Sequence, residues 1–279
     1  MDNMNEQKDP LADLGVILYY INLDRDTARR DDMEQQAREQ GVVLHRIPGV
    51  FGAALTPEDI SAYDDKRRRK LSTASLGPGE HGCLLSHVKF FKTFLESDAK
   101  YAVILEDDAI ILPGFVNKLR YIIEHTSGWG YVKLYSEPTR MYETDINPEG
   151  AMVKLAFHKK LPWGTVGYML TRSAAQKLYN LFTKSYWLTA DAQLGYYLMR
   201  YDIPAPGVME NIVSTRYPCN EQSSINDMQN RCSQDPGRTE KKCIGAKMMR
   251  YVSYRWHTWA MSYLKLRGRR ALRKNLQFH

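Results

Sequence analysis

Residues Tyr101 to Leu112 read YAVILEDDAIIL, an apolar run that meets three consecutive acids, Glu106, Asp107 and Asp108, and then resumes. Ionised carboxylates are not tolerated unpaired in a core, so the trio must lie where the chain leaves its apolar surroundings. Adjacent carboxylates repel and raise one another's pKa unless a cation neutralises them. Hard divalent ions that prefer oxygen ligands, Mn²⁺ or Mg²⁺, meet that need and are commonly shared with a substrate phosphate. Extended backbone alternates its side chains, which sends Glu106 and Asp108 to one side and Asp107 to the other. On that reading Glu106 and Asp108 hold the metal. Asp107 binds either ribose or the metal, since the chain turns here. The plain alternative is a solvated loop whose acids cap the next helix.

The elements that position these acids follow from periodicity. YAVILE is too short and too β-branched for a helix and reads as a buried strand. Upstream, Gly15–Asn22 (GVILYYIN) is a strand and Thr27–Gln40 a helix stopped by Gly41; Val42–Ile47 resumes as a strand. Strand, helix, strand implies a right-handed βαβ unit and hence an α/β fold with a parallel sheet. Ligands in such sheets sit beyond the carboxyl ends of the strands, where the acids fall. Residues 48–79 read as a long loop or short helical pieces. Helices are expected over 80–96 and 113–125, and short strands at Tyr131–Tyr135 and Met152–Phe157. Two further helices, Ser173–Phe182 and Asp191–Arg200, each open on a plausible N-cap. The polar stretch Pro218–Lys242 reads as irregular, a flexible lid.

Composition sets the class. The 279 residues are 43% apolar and 25% charged, as in ordinary soluble globular chains. That length carries one elaborated α/β domain or two. The start has no basic region followed by an apolar one, and no stretch approaches the roughly 18 apolar residues that span a bilayer. A cytoplasmic protein is therefore expected. Cys83, Cys219, Cys232 and Cys243 show no C-x-x-C spacing, which argues against a zinc site, and Cys83 reads as a small buried thiol. From Ile244 to His279 there are nine Lys or Arg residues and no acids, leaving 30 bases against 32 acids elsewhere. We therefore divide the chain into a domain over 1–243 and a basic tail over 244–279.

In the tail, Met248, Val252, Trp256, Trp259, Tyr263 and Leu266 step by three or four, giving an apolar–aromatic helical stripe. Arg250, Lys265, Arg267, Arg269, Arg270, Arg273 and Lys274 flank or follow it. Such an amphipathic helix suits an anionic membrane surface, or it docks its stripe on the preceding domain. The other basic run, Lys66–Lys70, reads as a solvated face.

Six landmarks in order, spanning the chain to about Asp227, resemble glycosyltransferase family 25, the lipooligosaccharide galactosyltransferase family. They are INLDRDTARR (Ile21–Arg30), GEHGCLLSH (Gly79–His87), VILEDD (Val103–Asp108), GTVGYMLTRSAA (Gly164–Ala175), ADAQLGYYL (Ala190–Leu198) and QSSI (Gln222–Ile225). The resemblance implies a GT-A-like, Rossmann-type fold, with a mostly parallel sheet flanked by helices. It also implies a UDP-sugar donor, most often UDP-galactose, inversion at the anomeric carbon, and a lipid-linked saccharide acceptor. With that acceptor, the tail would place the protein peripherally on the inner leaflet of the inner membrane.

Against this background each candidate carries a chemical role and a structural alternative. Glu106-x-Asp108 stands in for the Asp-x-Asp of GT-A enzymes. Asn22 and Arg25 follow the first strand, and Arg29 and Arg30 lie in a first helical turn, where guanidinium groups suit donor phosphate or uracil carbonyls. Those arginines are equally plausible as surface residues. Lys133, inside YVKLY, wants an anion, a diphosphate or Asp107; otherwise it lies on the solvent face of an edge strand. Ser86 and His87 share a helix face with Cys83 and Phe90 and either act directly or support the acidic strand. Asp191 is the candidate general base, or an N-cap. Trp163, Gly164 and Thr165 form a turn able to wall the sugar or to pack the core. Ser223 and Ser224 suit sugar hydroxyls or a surface loop. A phosphatase of the Asp-x-Asp-x-Thr type is excluded by Ile110. A nucleic-acid binder has only the tail in its favour, so no nucleic-acid partner is expected. A non-catalytic sugar-binding module stands as the alternative.

Overall fold

The computed structural model describes residues 9–71, 74–136, 141–142, 147–158, 164–216 and 277–278. The opening βαβ unit is as expected: β1 (Val16–Asn22), α1 (Thr27–Gln40) and β2 (Leu44–Pro48), with β1 and β2 parallel. Gly41, at φ 66, ends α1 in the left-handed conformation that a glycine tolerates. Two helices follow, α2 (Asp65–Leu71) and α3 (Pro78–Glu96), then β3 (Tyr101–Glu106), β4 (Ala109–Ile111) and α4 (Phe115–His125). Beyond them come β5 (Thr126–Ser127), β6 (Tyr131–Lys133), β7 (Met141–Tyr142), β8 (Leu155–His158) and β9 (Gly167–Thr171). The last described elements are α5 (Arg172–Lys184), α6 (Ala190–Arg200), β10 (Gly207–Val208), β11 (Val213–Thr215) and β12 (Gln277–Phe278).

The central sheet has the order β2-β1-β3-β9-β6-β10-β8-β7, and only β9 and β8 run against the other strands in it. The fold is the mixed α/β class expected, a mostly parallel sheet flanked by helices. One core layer joins Met33 and Ala37 of α1 and Phe115, Leu119 and Ile122 of α4 to the sheet. The other joins Leu84, Phe90, Phe91 and Phe94 of α3, Leu178 and Phe182 of α5, and Leu194 of α6. β3 is covered on both faces: Val103 and Leu105 face the α1 layer, and Ala102 and Ile104 the α3 layer. That double coverage explains a continuous rather than alternating apolar run.

Several boundaries differ from expectation. GTVGYMLT is not wholly a turn: Gly167–Thr171 is β9, antiparallel to both β3 and β6. Its glycine fits because a Cβ there would stand 2.7 Å from Val213 and 3.1 Å from Leu105. β6 lies inside the sheet, so Lys133 is not on an edge. Thr171 caps α5, its hydroxyl accepting from Ala174 N at 3.3 Å. Asp191 sits in the first turn of α6 rather than at its N-cap, which is Thr189. The expected lid over Pro218–Lys242 and the amphipathic helix of the tail lie outside the described residues, of which Gln277–Phe278 pair with β5. Among the described residues no helix is long and apolar enough to cross a membrane.

The loop after β2 is pressed onto α3 with no room for side chains between them. A Cβ on Gly82 would meet Val50 O at 2.6 Å and Gly52 N at 2.8 Å, both backbone atoms. Glycine to alanine within a helix ordinarily stabilises by about 0.5–1 kcal/mol. Here the sign reverses: Gly82→Ala is expected to lower the unfolding free energy by about 1–3 kcal/mol, as overpacking does. Urea denaturation checks this, and a gain in stability would refute the close approach.

Candidate active site

The acids sit where β3 ends, Glu106 closing the strand and Asp107 and Asp108 turning into β4. Strand parity sorts their surroundings. Ala102 and Ile104 face α3, so Glu106, two residues on, faces α3 as well. There its Oε1 accepts a short hydrogen bond from the Thr165 hydroxyl and lies 3.5 Å from His87 Nε2. His87 Nδ1 is in turn 2.8 Å from the Tyr168 hydroxyl, so the imidazole is fixed at both nitrogens. Burial pushes the Glu106 carboxyl up, but His87 and Thr165 outweigh it and hold the group below its usual value.

Asp107 turns to the α1 layer. Its Oδ1 accepts from Arg29 Nη1 and its Oδ2 from Asn22 Nδ2, each at 2.9 Å. Asn22 is only 1% exposed and fully engaged: Nδ2 also donates to Asp26 O at 2.9 Å, and Oδ1 accepts from Arg46 Nε at 3.1 Å. Even with these partners, burial leaves the Asp107 carboxyl above its usual value. Arg46, which sequence reasoning passed over, also donates to Asn22 O and Asp24. An arginine at the carboxyl end of the second parallel strand was the available signal.

Asp108 is the least satisfied. Its Oδ2 accepts from the Thr215 hydroxyl at 3.1 Å, while Oδ1 is buried without a hydrogen-bond partner among the described residues. Burial, and then the charge of Glu106, push its carboxyl up to about 6. Thr215 lies on β11, which pairs antiparallel with β4, so a residue more than 100 positions later reaches the acids. Nothing in the sequence flagged it.

Lys133 and Asp191 both bond the backbone of Gly164. Lys133, 4% exposed on β6, donates from Nζ to Gly164 O, and Asp191 Oδ2 accepts from Gly164 N at 3.0 Å. Asp191 Oδ1 accepts from the Thr189 hydroxyl at 2.7 Å and Ala192 N at 2.8 Å. Burial lowers the Lys133 ammonium to about 8 in spite of Asp191 and Glu106 nearby. The anions facing Lys133 are therefore Asp191 and Glu106, not the expected Asp107. Gly164 has φ 81, and a Cβ there would have no atom of the described residues within 4 Å.

The remaining candidates divide. Ser86 lies on α3 beside this cluster but bonds Val50 N and Gly82 O, at 2.8 and 2.7 Å, and so anchors the loop after β2. Arg25 lies over the Phe51 ring, 4.8 Å from its centre, and Arg30 is 3.8 Å from Asp31. Trp163, Ser223 and Ser224 lie outside the described residues.

Two sets of side chains offer ligands to a metal. Cys83, His87 and Glu106 each bring one ligand atom within 4.8 Å of the others. Sulfur and imidazole suit a softer ion than Mn²⁺, and burial, then the nearby acids, hold the thiol protonated. The carboxylates Glu106 and Asp108 fit a hard ion better, because Asp108 Oδ1 has an unmet lone pair and the two acids raise one another's cost.

The raised Asp108 has a consequence for stability. A carboxyl whose folded value, about 6, exceeds its reference of 3.8 favours the fold while protonated. That contribution is complete below the unfolded value and is lost as pH rises through the folded one. Asp108→Asn is therefore expected to stabilise the chelated protein at pH ~7.5 by about 1–2 kcal/mol, the gain fading towards pH ~4. Urea melts at the two pH values check it, and a loss of stability at the higher pH would count against a strained carboxylate.

With this geometry in hand, comparison with known proteins is informative. The sequence profile of glycosyltransferase family 25 (LPS biosynthesis protein) matches residues 17–194, which include the acids, Lys133 and Asp191. A glycosyltransferase 25 family member of Drosophila pseudoobscura pseudoobscura is 29% identical over 170 residues, 58% of this chain and 26% of the relative. Human procollagen galactosyltransferase 2 is 26% identical over 171 residues, 58% of this chain and 27% of its own length. The match thus spans about a quarter of those relatives. A solved glycosyltransferase involved in the glycosylation of the major capsid of PBCV-1 aligns with 78% of this chain and 98% of its own, at 10% identity and a TM-score of 0.41. The profile covers more than half of the chain, including the first four landmarks and the acids, and the chain belongs to glycosyltransferase family 25.

Proposed function

We propose that this protein is a metal-dependent, inverting glycosyltransferase that moves a sugar from a UDP-sugar to a saccharide acceptor of a surface glycan such as lipooligosaccharide. Family membership supports transfer from a nucleotide-sugar. The related procollagen galactosyltransferases support galactose as the first sugar to try, and the family's description as LPS biosynthesis protein supports the acceptor class. The observation that carries the metal assignment is Asp108 Oδ1, a buried acceptor with no donor among the described residues, beside a second carboxylate.

In this reading Glu106 and Asp108 hold Mn²⁺ or Mg²⁺, which when bound would act as a Lewis acid towards the departing UDP. Arg29 and Asp107, at the ends of α1 and β3, take the donor's ribose and phosphates, and the buried Asn22 orients Asp107 for it. Arg25 and Arg30, on the exposed rim, add positive charge for the diphosphate. Lys133 and Thr165 hold the Gly164 strap, which with Trp163, Ser223 and Ser224 walls the sugar. His87 and Ser86 support the acids and the adjoining loop.

Asp191 takes the proton from the attacking acceptor hydroxyl. A carboxylate offers about four lone-pair positions. Thr189, Ala192 and Gly164 use three of them, and the one left lies on Oδ2, the oxygen that meets the Gly164 strap. Inversion requires a single such base opposite the leaving group.

Two measurements test this. UDP release from a panel of UDP-sugars, with Mn²⁺ or with chelator, is expected to be highest with UDP-galactose and Mn²⁺ and lost on chelation. Turnover that survives chelation would remove the metal from the reaction. Asp191→Asn removes basicity and leaves one accepting oxygen where the carboxylate has two, for Gly164 N or for Ala192 N and the Thr189 hydroxyl; kcat is expected to fall by about 10²–10⁴ with donor affinity unchanged. Full activity in that variant would exclude Asp191 as the base.

A further inference from the structure

Phe51 is among the few large apolar side chains left well exposed, at 41%, in the described part of the molecule. Exposed single apolar residues are common and need no explanation. What sets this one apart is how tightly its backbone is held. Gly49 N donates to Asn22 O at 2.9 Å, and Val50 N donates to the Ser86 hydroxyl at 2.8 Å. On the other side, a Cβ on Gly52 would stand 1.7 Å from Pro78 O, so only glycine fits against the start of α3. The chain is thus clamped one residue before Phe51 and one residue after it, yet the ring stays partly exposed, beside the Arg25 guanidinium. None of these contacts uses the ring, so packing does not account for its exposure.

Its position in the sheet supplies a reason. Strand order runs β2, β1, β3. The acids end β3, Asn22 ends β1, and Phe51 follows β2, all at the same carboxyl edge. Neighbouring strands are about 4.8 Å apart, so the ends of β2 and β3, which carry Phe51's loop and the acids, are roughly two strand spacings or about 10 Å apart. A nucleoside diphosphate reaches about that far from its phosphates to its base. The Asn22–Asp107–Arg29 unit lies between, and Gly49 is bonded directly to Asn22. Arg25, 50% exposed, brings its guanidinium to 4.8 Å from the ring centre, so the ring already attracts one cation beside the proposed phosphate path.

We propose that Phe51 is the platform on which the donor's nucleobase stacks, held in place by the Ser86 hydroxyl and the two glycine contacts with α3. The inference rests on the nucleotide-sugar reading above and adds a residue to it. Every base presents a π-face, so the ring supplies affinity, and discrimination among bases must come from groups at their edges.

The test is calorimetric titration of the full chain, with Mn²⁺ present, using UDP and inorganic pyrophosphate as separate ligands. Phe51→Ala is expected to weaken UDP about tenfold while leaving pyrophosphate within about twofold, and Phe51→Tyr is expected to bind UDP almost as wild type does. An unchanged UDP affinity in Phe51→Ala overturns the platform alone. Equal losses for UDP and pyrophosphate would also overturn it, because the change would then act through the shape of the whole site. Wild type that binds pyrophosphate but no better with UDP likewise overturns it. Wild type that binds neither ligand removes the donor reading, and the platform with it.

Discussion

A buried apolar strand that ends in three carboxylates constrains everything around it, because each ionised oxygen must find a donor or a cation. β3 lies inside the sheet with its apolar side chains covered on both faces, so solvent relieves the charge at its end only in part. Backbone alternation then divides the problem. Glu106 goes to the α3 side and meets His87 and Thr165; Asp107 goes to the α1 side and meets Asn22 and Arg29. The turn that follows leaves Asp108 between them, supported by Thr215 alone among hydrogen-bond donors of the described residues. Separate stretches of chain converge because the acids need them.

The α3 side shows how far this compensation extends. His87 is fixed by Tyr168 from β9, and Tyr168 is stacked on Tyr131 of β6 with ring centres 5.0 Å apart. Lys133, on the same face of β6, brings its positive charge near Glu106 and Asp191. Desolvating an ammonium group costs more than two nearby carboxylates return, which is why its pKa falls to about 8 rather than rising. A lysine in that position is costly for stability unless its hydrogen bond to Gly164 O has a use. Holding the strap that Asp191 also holds is such a use.

Much of this was legible in the residues, for identifiable reasons. The first βαβ unit was clear because α1 carries a strong glycine stop and β1 a continuous apolar run. The separation of Asp107 from its neighbours followed from alternation alone. β9 was hidden because Gly164, Thr165 and Gly167 carry the composition of a turn, although the glycine at 167 serves a close approach to Val213 and Leu105. The edge-strand alternative for Lys133 fails because β9 and β10 flank β6, which nothing in YVKLY reveals. Its partner is a backbone carbonyl, which no side-chain pattern announces. Asp191 looked like a cap because helix starts favour aspartate, and the structure moves it two residues into the helix, where its second oxygen reaches Gly164. Thr215 and Phe51 lie in segments whose sequence is unremarked by any motif, and only pairing and burial bring them into view.

The two sides of the acidic turn differ in the kind of counterion they employ. On the α1 side the compensation is built in: Arg29 pairs with Asp107, and Arg46 closes the remaining acceptor of Asn22. A fixed guanidinium cannot leave, so this side is suited to shape and orientation. On the α3 side Glu106 and Asp191 share a lysine whose charge is itself weakened by burial, while Asp108 is held up by the charge of Glu106. Adding a second fixed cation there would satisfy Asp108 and make the fold more stable, but it would also fill the place proposed for a dissociable ion. Leaving one oxygen unmet costs stability and keeps that place open. A site that must accept a charged donor and release a more highly charged product benefits from a counterion that can come and go with its ligand, and the asymmetry between Asp107 and Asp108 is what such a requirement would produce.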